Sequence, residues 1–234
     1  MKLSIIIPVY HEEKNIEKVI KQLSLKVKTP HETLIVYDTK KDPTYAVAKK
    51  ILPKYKLVKL VENKIGNKRG VINAIKTGIQ KAKGSALVIV MADLSDDLKI
   101  IDPMISLTEK GYDIVCGSRY MKQGKKIGGP FFKTLLSKIA GLTLFYFFQI
   151  PTHDATNAFK MYKKNIFETI HIKSTGGFEY SLEIIIKAHK LGYRITEIPS
   201  IWKDREAGKS NFKLFRWLPK YIMTYALIFK HIEK

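Results

Sequence analysis

Apolar residues fill residues 2–9 almost without interruption, and Pro8 and Val9 close the run before His11, Glu12 and Glu13. Such a stretch predicts a strand buried on both faces, as in a parallel sheet. The period then changes. Ile16, Val19, Ile20 and Leu23 share one side of residues 15–25, which predicts a helix. Further strands are expected at 33–37, 56–61, 86–91 and 114–116, with helices at 43–52, 70–82 and 98–110. Alternating strands and helices predict an α/β domain with a mostly parallel central sheet.

In such sheets ligands sit beyond the carboxyl ends of the strands. The residues there are Tyr10, Glu12, Asp38, Asp93 and Arg119, so acids and an arginine collect where a ligand would lie. The second half reads differently. Residues 131–150 are strongly apolar but carry Lys133, Ser137 and Lys138. They predict an interfacial helix or helix pair rather than a membrane span, since no window reaches about 20 apolar residues. A strand is expected at 156–162, a helix at 178–191, a strand at 193–198 and an amphipathic helix at 212–232. Both apolar segments also allow a second reading, as core helices packed together or across a dimer. No linker divides the chain. The expected organisation is one catalytic domain over 1–211 and a C-terminal amphipathic helix over 212–234.

Charge sharpens this picture. The 234 residues hold 42 Lys and Arg against 21 Asp and Glu, a net +21. That surplus attracts polyanions: nucleic acid, nucleotide phosphates or anionic lipid. The aromatics lie mainly in apolar helices and the acids at strand ends, so nucleic acid is not an expected partner. Cys116 is the single cysteine, which points to a reducing compartment. The N-terminal apolar run is too short for a secretory signal.

The candidate chemistry begins at Asp93. Carboxylates directly after a buried strand are costly unless exposed, paired or bound to a cation, and oxygen ligands suit Mg2+ or Mn2+ on a diphosphate. The alternative is a helix cap by Ser95, Asp96 or Asp97. At Pro8–Glu13 an aromatic ring and a carboxylate suit a base, or else simply begin a helix.

Together these segments resemble the successive motifs of family 2 glycosyltransferases with the GT-A (Rossmann-like, nucleotide-binding) fold. They are residues 4–13, 36–38, 67–70, 92–97 and 117–120, in order. Residues 154–159, 177–179, 192–194, 197–199 and 205–210 extend the likeness to polyprenyl-phosphate sugar synthases of the dolichyl-phosphate mannose synthase type. The resemblance implies a base and ribose pocket lined by Pro8, Tyr10, Glu12 and Asp38, with Lys68 near the nucleotide. It implies Asp93 and Ser95 at a metal, and Asp154 near the reacting centre. Arg119 and Arg205 would face phosphates, with Lys133 and Ser210 at the acceptor phosphate; their alternative is a surface ion pair. Met91 stands where the family has the first acid of its metal motif. The implied activity is inverting transfer of a hexose from a GDP- or UDP-linked donor to a polyprenyl phosphate. It would occur on an anionic membrane surface, with the protein peripheral at the cytoplasmic face or in the cytoplasm.

Overall fold

The computed structural model describes residues 1–65, 70–205 and 214–230. Its strands are β1 (Leu3–Val9), β2 (His31–Tyr37), β3 (Val58–Glu62), β4 (Ala86–Ile89), β5 (Ile114–Ser118), β6 (Lys125–Ile127), β7 (Lys160–Lys163), β8 (Ile195–Pro199) and β9 (Ile201–Lys203). Its α-helices are α1 (Ile16–Lys26), α2 (Pro43–Ile51), α3 (Val71–Lys81), α4 (Ile101–Glu109), α5 (Phe131–Phe148), α6 (Ile166–Thr169), α7 (Glu179–Lys190) and α8 (Leu214–Tyr225).

Among the described residues, seven strands form one sheet in the order β3-β2-β1-β4-β7-β5-β8, and β6 pairs with β9 in a second. All neighbours in the large sheet run parallel except β7, which is antiparallel to β4 and β5. The expectation of a mostly parallel sheet therefore holds. The run over 2–9 works as a two-faced strand. Leu3, Ile5, Ile7 and Val9 enter a core with α1, α2 and α4, while Ile6 enters the opposite core with α3 and α7. The α3 layer approaches closely, because a Cβ at Gly78 would lie 2.4 Å from Ile6 Cγ2. An alanine there would overpack the layer at a cost of about 1–3 kcal/mol.

Pro8 has a positional reason. Ile6 O accepts from Val90 N, so even positions of β1 turn their polar groups toward β4. The β4 strand ends at Ile89, so the missing N–H of Pro8 falls where no ladder partner remains. Strand order reverses between β1 and β4, the point at which open α/β sheets bind their ligands.

Several details differ from expectation. The strand expected at 156–162 begins only at Lys160, because the residues before it wrap around the Lys160 ammonium, as described below. Of the caps expected at Ser95, Asp96 or Asp97, only Asp97 forms: it accepts from Lys99 N at 3.2 Å and starts a 3-10 turn, Leu98–Ile100, ahead of α4. The last helix contains Pro219 and gives way to a 3-10 turn, Ala226–Phe229. Residues 131–148 form a single helix, which by length and composition is long enough to cross a membrane. At 18 residues, with Lys133 and Lys138 inside it, the helix nonetheless stays short of the about 20 apolar residues taken as a span.

Candidate active site

The carboxyl rim of the sheet gathers its side chains from six segments. Glu12 follows β1, Asp38 follows β2, Asp93 follows β4 and Arg119 follows β5. The antiparallel course of β7 places its entry loop, with Asp154, at the same rim. Arg205 follows β9.

Arg205 bridges two of these acids. Its Nη2 lies 2.9 Å from Asp93 Oδ2 and its Nη1 lies 3.5 Å from Glu12 Oε1. The small sheet fixes this approach: Lys203 N donates to Ser95 O at 3.0 Å, and Asp204 N to Ile127 O at 2.9 Å. Glu12 also accepts from Asn15 Nδ2 at 2.8 Å. Burial raises its pKa, and Asn15 and Arg205 offset part of that rise.

Asp93 Oδ1 accepts from Ser95 N at 3.1 Å and from Ser95 Oγ at 2.6 Å, so buried Ser95 orients the carboxylate. Asp96 stands beside it. Burial, and then the charge of Asp93, push the Asp96 carboxyl up to about 7. Two crowded acids at a strand end are the donor set a hard divalent cation relieves. Asp93 and Asp96 therefore fit Mg2+ or Mn2+, while Met91 offers no oxygen. His11, Glu13 and Asp42 also bring ligand atoms within 4.8 Å of one another. There, however, Asp42 is already engaged by Thr44 N, Thr44 Oγ1 and the His11 backbone.

Arg119 and Asp154 form a buried two-pronged pair, with Nε to Oδ2 at 2.6 Å and Nη2 to Oδ1 at 2.8 Å. Arg119 N adds a bond of 3.0 Å to Oδ2. Asp154 is fully buried, so the surface ion pair considered for Arg119 is not what forms. Burial works against the guanidinium charge, and Asp154 more than offsets it. Lys133 stands close enough to be affected: burial, then Lys126 and Arg119, bring its pKa down to about 8.

At the nucleotide side, Tyr10 is 55% exposed, with the His11 ring edge-on at 4.4 Å. Asp38 is buried and accepts from Asn63 Nδ2 at 2.7 Å, and Asn63 in turn accepts from Thr77 on α3 at 2.9 Å. Lys68 and Ser210 lie outside the described residues.

One face of α5 packs on this site. A Cβ at Gly141 would lie 2.1 Å from His153 O. The His153 ring stacks on Phe145 at 3.8 Å, and Glu197 of β8 holds its Nδ1 at 2.5 Å. Tyr120 bonds Ser137, and Tyr225 donates to Thr143 at 2.8 Å. The other face, with Phe132, Leu135, Leu136, Ile139, Tyr146 and Phe147, is exposed. The reading of α5 as a helix buried in this chain's own core therefore fails. Motif reading did not mark His153 or Lys160; Glu197 was marked only by its motif.

The chain is a glycosyltransferase. It belongs to glycosyl transferase family 2, whose pattern matches residues 4–171. It is 29% identical over 218 residues to the dolichol-phosphate mannosyltransferase of Pyrococcus furiosus, covering 91% of this chain and 60% of that protein. The chain thus spans about three fifths of that relative. It is 25% identical over 211 residues to the polyprenol monophosphomannose synthase of Mycolicibacterium smegmatis, covering 88% of this chain and 79% of that one. Glucosyl-3-phosphoglycerate synthase of Mycobacterium tuberculosis, solved with Mn2+, UDP and glucosyl-3-phosphoglycerate, superposes with a TM-score of 0.69 at 14% identity, over 96% of this chain and 78% of that one. That likeness shows the fold, which is GT-A.

Proposed function

We propose that this enzyme transfers a hexose from a GDP- or UDP-linked donor to a polyprenyl phosphate at the cytoplasmic membrane face, with inversion. One juxtaposition carries this reading. The acids and arginines of the rim adjoin the N-terminal end of α5, a helix whose outer face is exposed and apolar and whose Lys133 feels Arg119. The names of the two relatives support the same acceptor class.

The acceptor phosphate is itself an ionised nucleophile, so no strong base is required and positioning with charge neutralisation suffices. One acceptor oxygen forms a bond to the anomeric carbon as the bond to the donor diphosphate breaks. A single displacement inverts that carbon. Tyr10 would stack on the base, with Pro8, Glu12 and Asp38 around base and ribose and Lys68 beside them. Asp93, oriented by Ser95, would hold a divalent cation with Asp96, and the cation would supply charge neutralisation on the diphosphate. Arg205 would leave Asp93 for a phosphate. Arg119, aligned by Asp154, and Lys133 would meet the acceptor phosphate together with Ser210. The bonded inner face of α5 favours a helix lying along the membrane surface over one crossing it.

The test is transfer to polyprenyl phosphate by the Asp93→Ala and Arg205→Ala variants. Loss of transfer in both is expected, and wild-type rates in both would refute the site assignment.

A further inference from the structure

A buried ammonium underlies the Asp154 loop, and the mechanism above leaves it unused. Lys160, the first residue of β7, is fully buried. Its Nζ donates to Ala155 O at 3.0 Å, to Asn157 O and to Ser181 Oγ at 2.5 Å. Three N–H groups meet three neutral oxygens, and none of these partners is a carboxylate. Buried lysines are rare unless paired with a counter-charge. The charged and titratable groups acting on it are Asp154 and Arg119 at the rim and the Cys116 thiol on β5. From α7 the neutral Ser181 hydroxyl meets it.

The charge count explains the arrangement. Asp154 is consumed by Arg119, to which it presents both oxygens. That pair alone is neutral and would offer an incoming phosphate little net attraction. Lys160 leaves the three-residue cluster with one net positive charge, set in a low-dielectric interior where its field is weakly screened. Resting on the proposed function, we infer that Lys160 is an electrostatic positioning residue. It braces residues 155–157 and adds, from beneath the loop, a positive charge that joins those of Lys126 and Lys133 in drawing phosphate to the otherwise neutral Arg119–Asp154 pair. Burial brings the ammonium down to about 8, so its charge can be removed within the stable pH range. Neutral lysine still donates two hydrogens and accepts from the Ser181 hydroxyl, so bracing outlasts the charge.

That difference separates a charge role from a structural one. The experiment is calorimetric titration of inorganic pyrophosphate into the full chain at fixed ionic strength, at pH 7 and pH 9.5. Lys160→Met is expected to weaken binding about tenfold at pH 7. At pH 9.5 the wild type has lost the same proton, and the ratio between the two proteins should approach one. Titration of Lys133 is common to both and cancels. Ser181→Ala, which removes a bond but keeps the charge, should bind within about twofold of wild type. If Lys160→Met does not fold, Lys160→Gln takes its place. A ratio that is equal at the two pH values, or a Ser181→Ala loss as large as that of Lys160→Met, overturns the inference. Arg119→Gln separates the two levels of the argument. If it leaves pyrophosphate binding intact, the phosphate site itself is misassigned. If it abolishes binding while the Lys160 ratio stays flat, only the role of Lys160 fails.

Discussion

Arg205 Nη2 sits 2.9 Å from Asp93 Oδ2 across 112 residues of sequence, joining the end of the small sheet to the turn after β4. The guanidinium thereby holds the carboxylate that the proposed cation needs. Asp93→Ala and Arg205→Ala should each lower kcat/KM at least 100-fold. Their double variant should fall well short of the product, because both act on one diphosphate. Initial rates of the four proteins check this.

The Arg119–Asp154 pair depends on its two-pronged geometry. Asp154→Asn leaves a buried guanidinium without its counter-charge, at a cost of about 3–5 kcal/mol. Arg119→Lys keeps the charge and loses the fork, so it should unfold closer to wild type yet remain slow. Thermal unfolding measured beside transfer rates separates the two.

Glu183 staples α7 to the preceding loop. It accepts from Lys173 N at 2.7 Å and from Ser174 N at 2.8 Å, and it pairs with Lys187. Burial opposes its charge, but these partners leave its pKa lowered overall. A lowered carboxyl stabilises the fold fully above its ordinary value of 4.5 and loses that contribution as pH falls through the folded value. Glu183→Gln should cost about 2 kcal/mol at pH 7. The gap to wild type should narrow as pH falls below that ordinary value, as unfolding midpoints from pH 7 to pH 3 will show.

Phe132, Ile139 and Phe147 project from the outer face of α5. Replacing all three with serine should reduce flotation with anionic vesicles at least 100-fold, since each buried side chain contributes about 1.5–3 kcal/mol. The soluble fold should persist. Added salt should weaken the wild type too, through its lysines.

The parallel half of the sheet was legible because β1, β2 and β4 are buried on both faces, and such strands read as continuous apolar runs. Glu12, Asp38 and Asp93 were legible because each comes soon after one of those runs, whereas Asp154, in the loop before β7, was marked only by its motif. The small sheet was not legible. Its strands, Lys125–Ile127 and Ile201–Lys203, have three residues each and mix lysine with apolar side chains, too short for any period to register. Lys160 was hidden for a different reason. A lysine reads as surface in any pattern, and only the fold reveals the three oxygens around it.

The central claim is most directly tested by incubating the purified chain with labelled GDP- and UDP-hexoses, Mn2+ and polyprenyl phosphate in anionic vesicles. Label is then measured in the organic-extractable lipid fraction. The account predicts lipid-linked hexose of inverted anomeric configuration from one of these donors, absent with Asp93→Ala. Label appearing only in a water-soluble acceptor such as phosphoglycerate, with none in lipid, would contradict it.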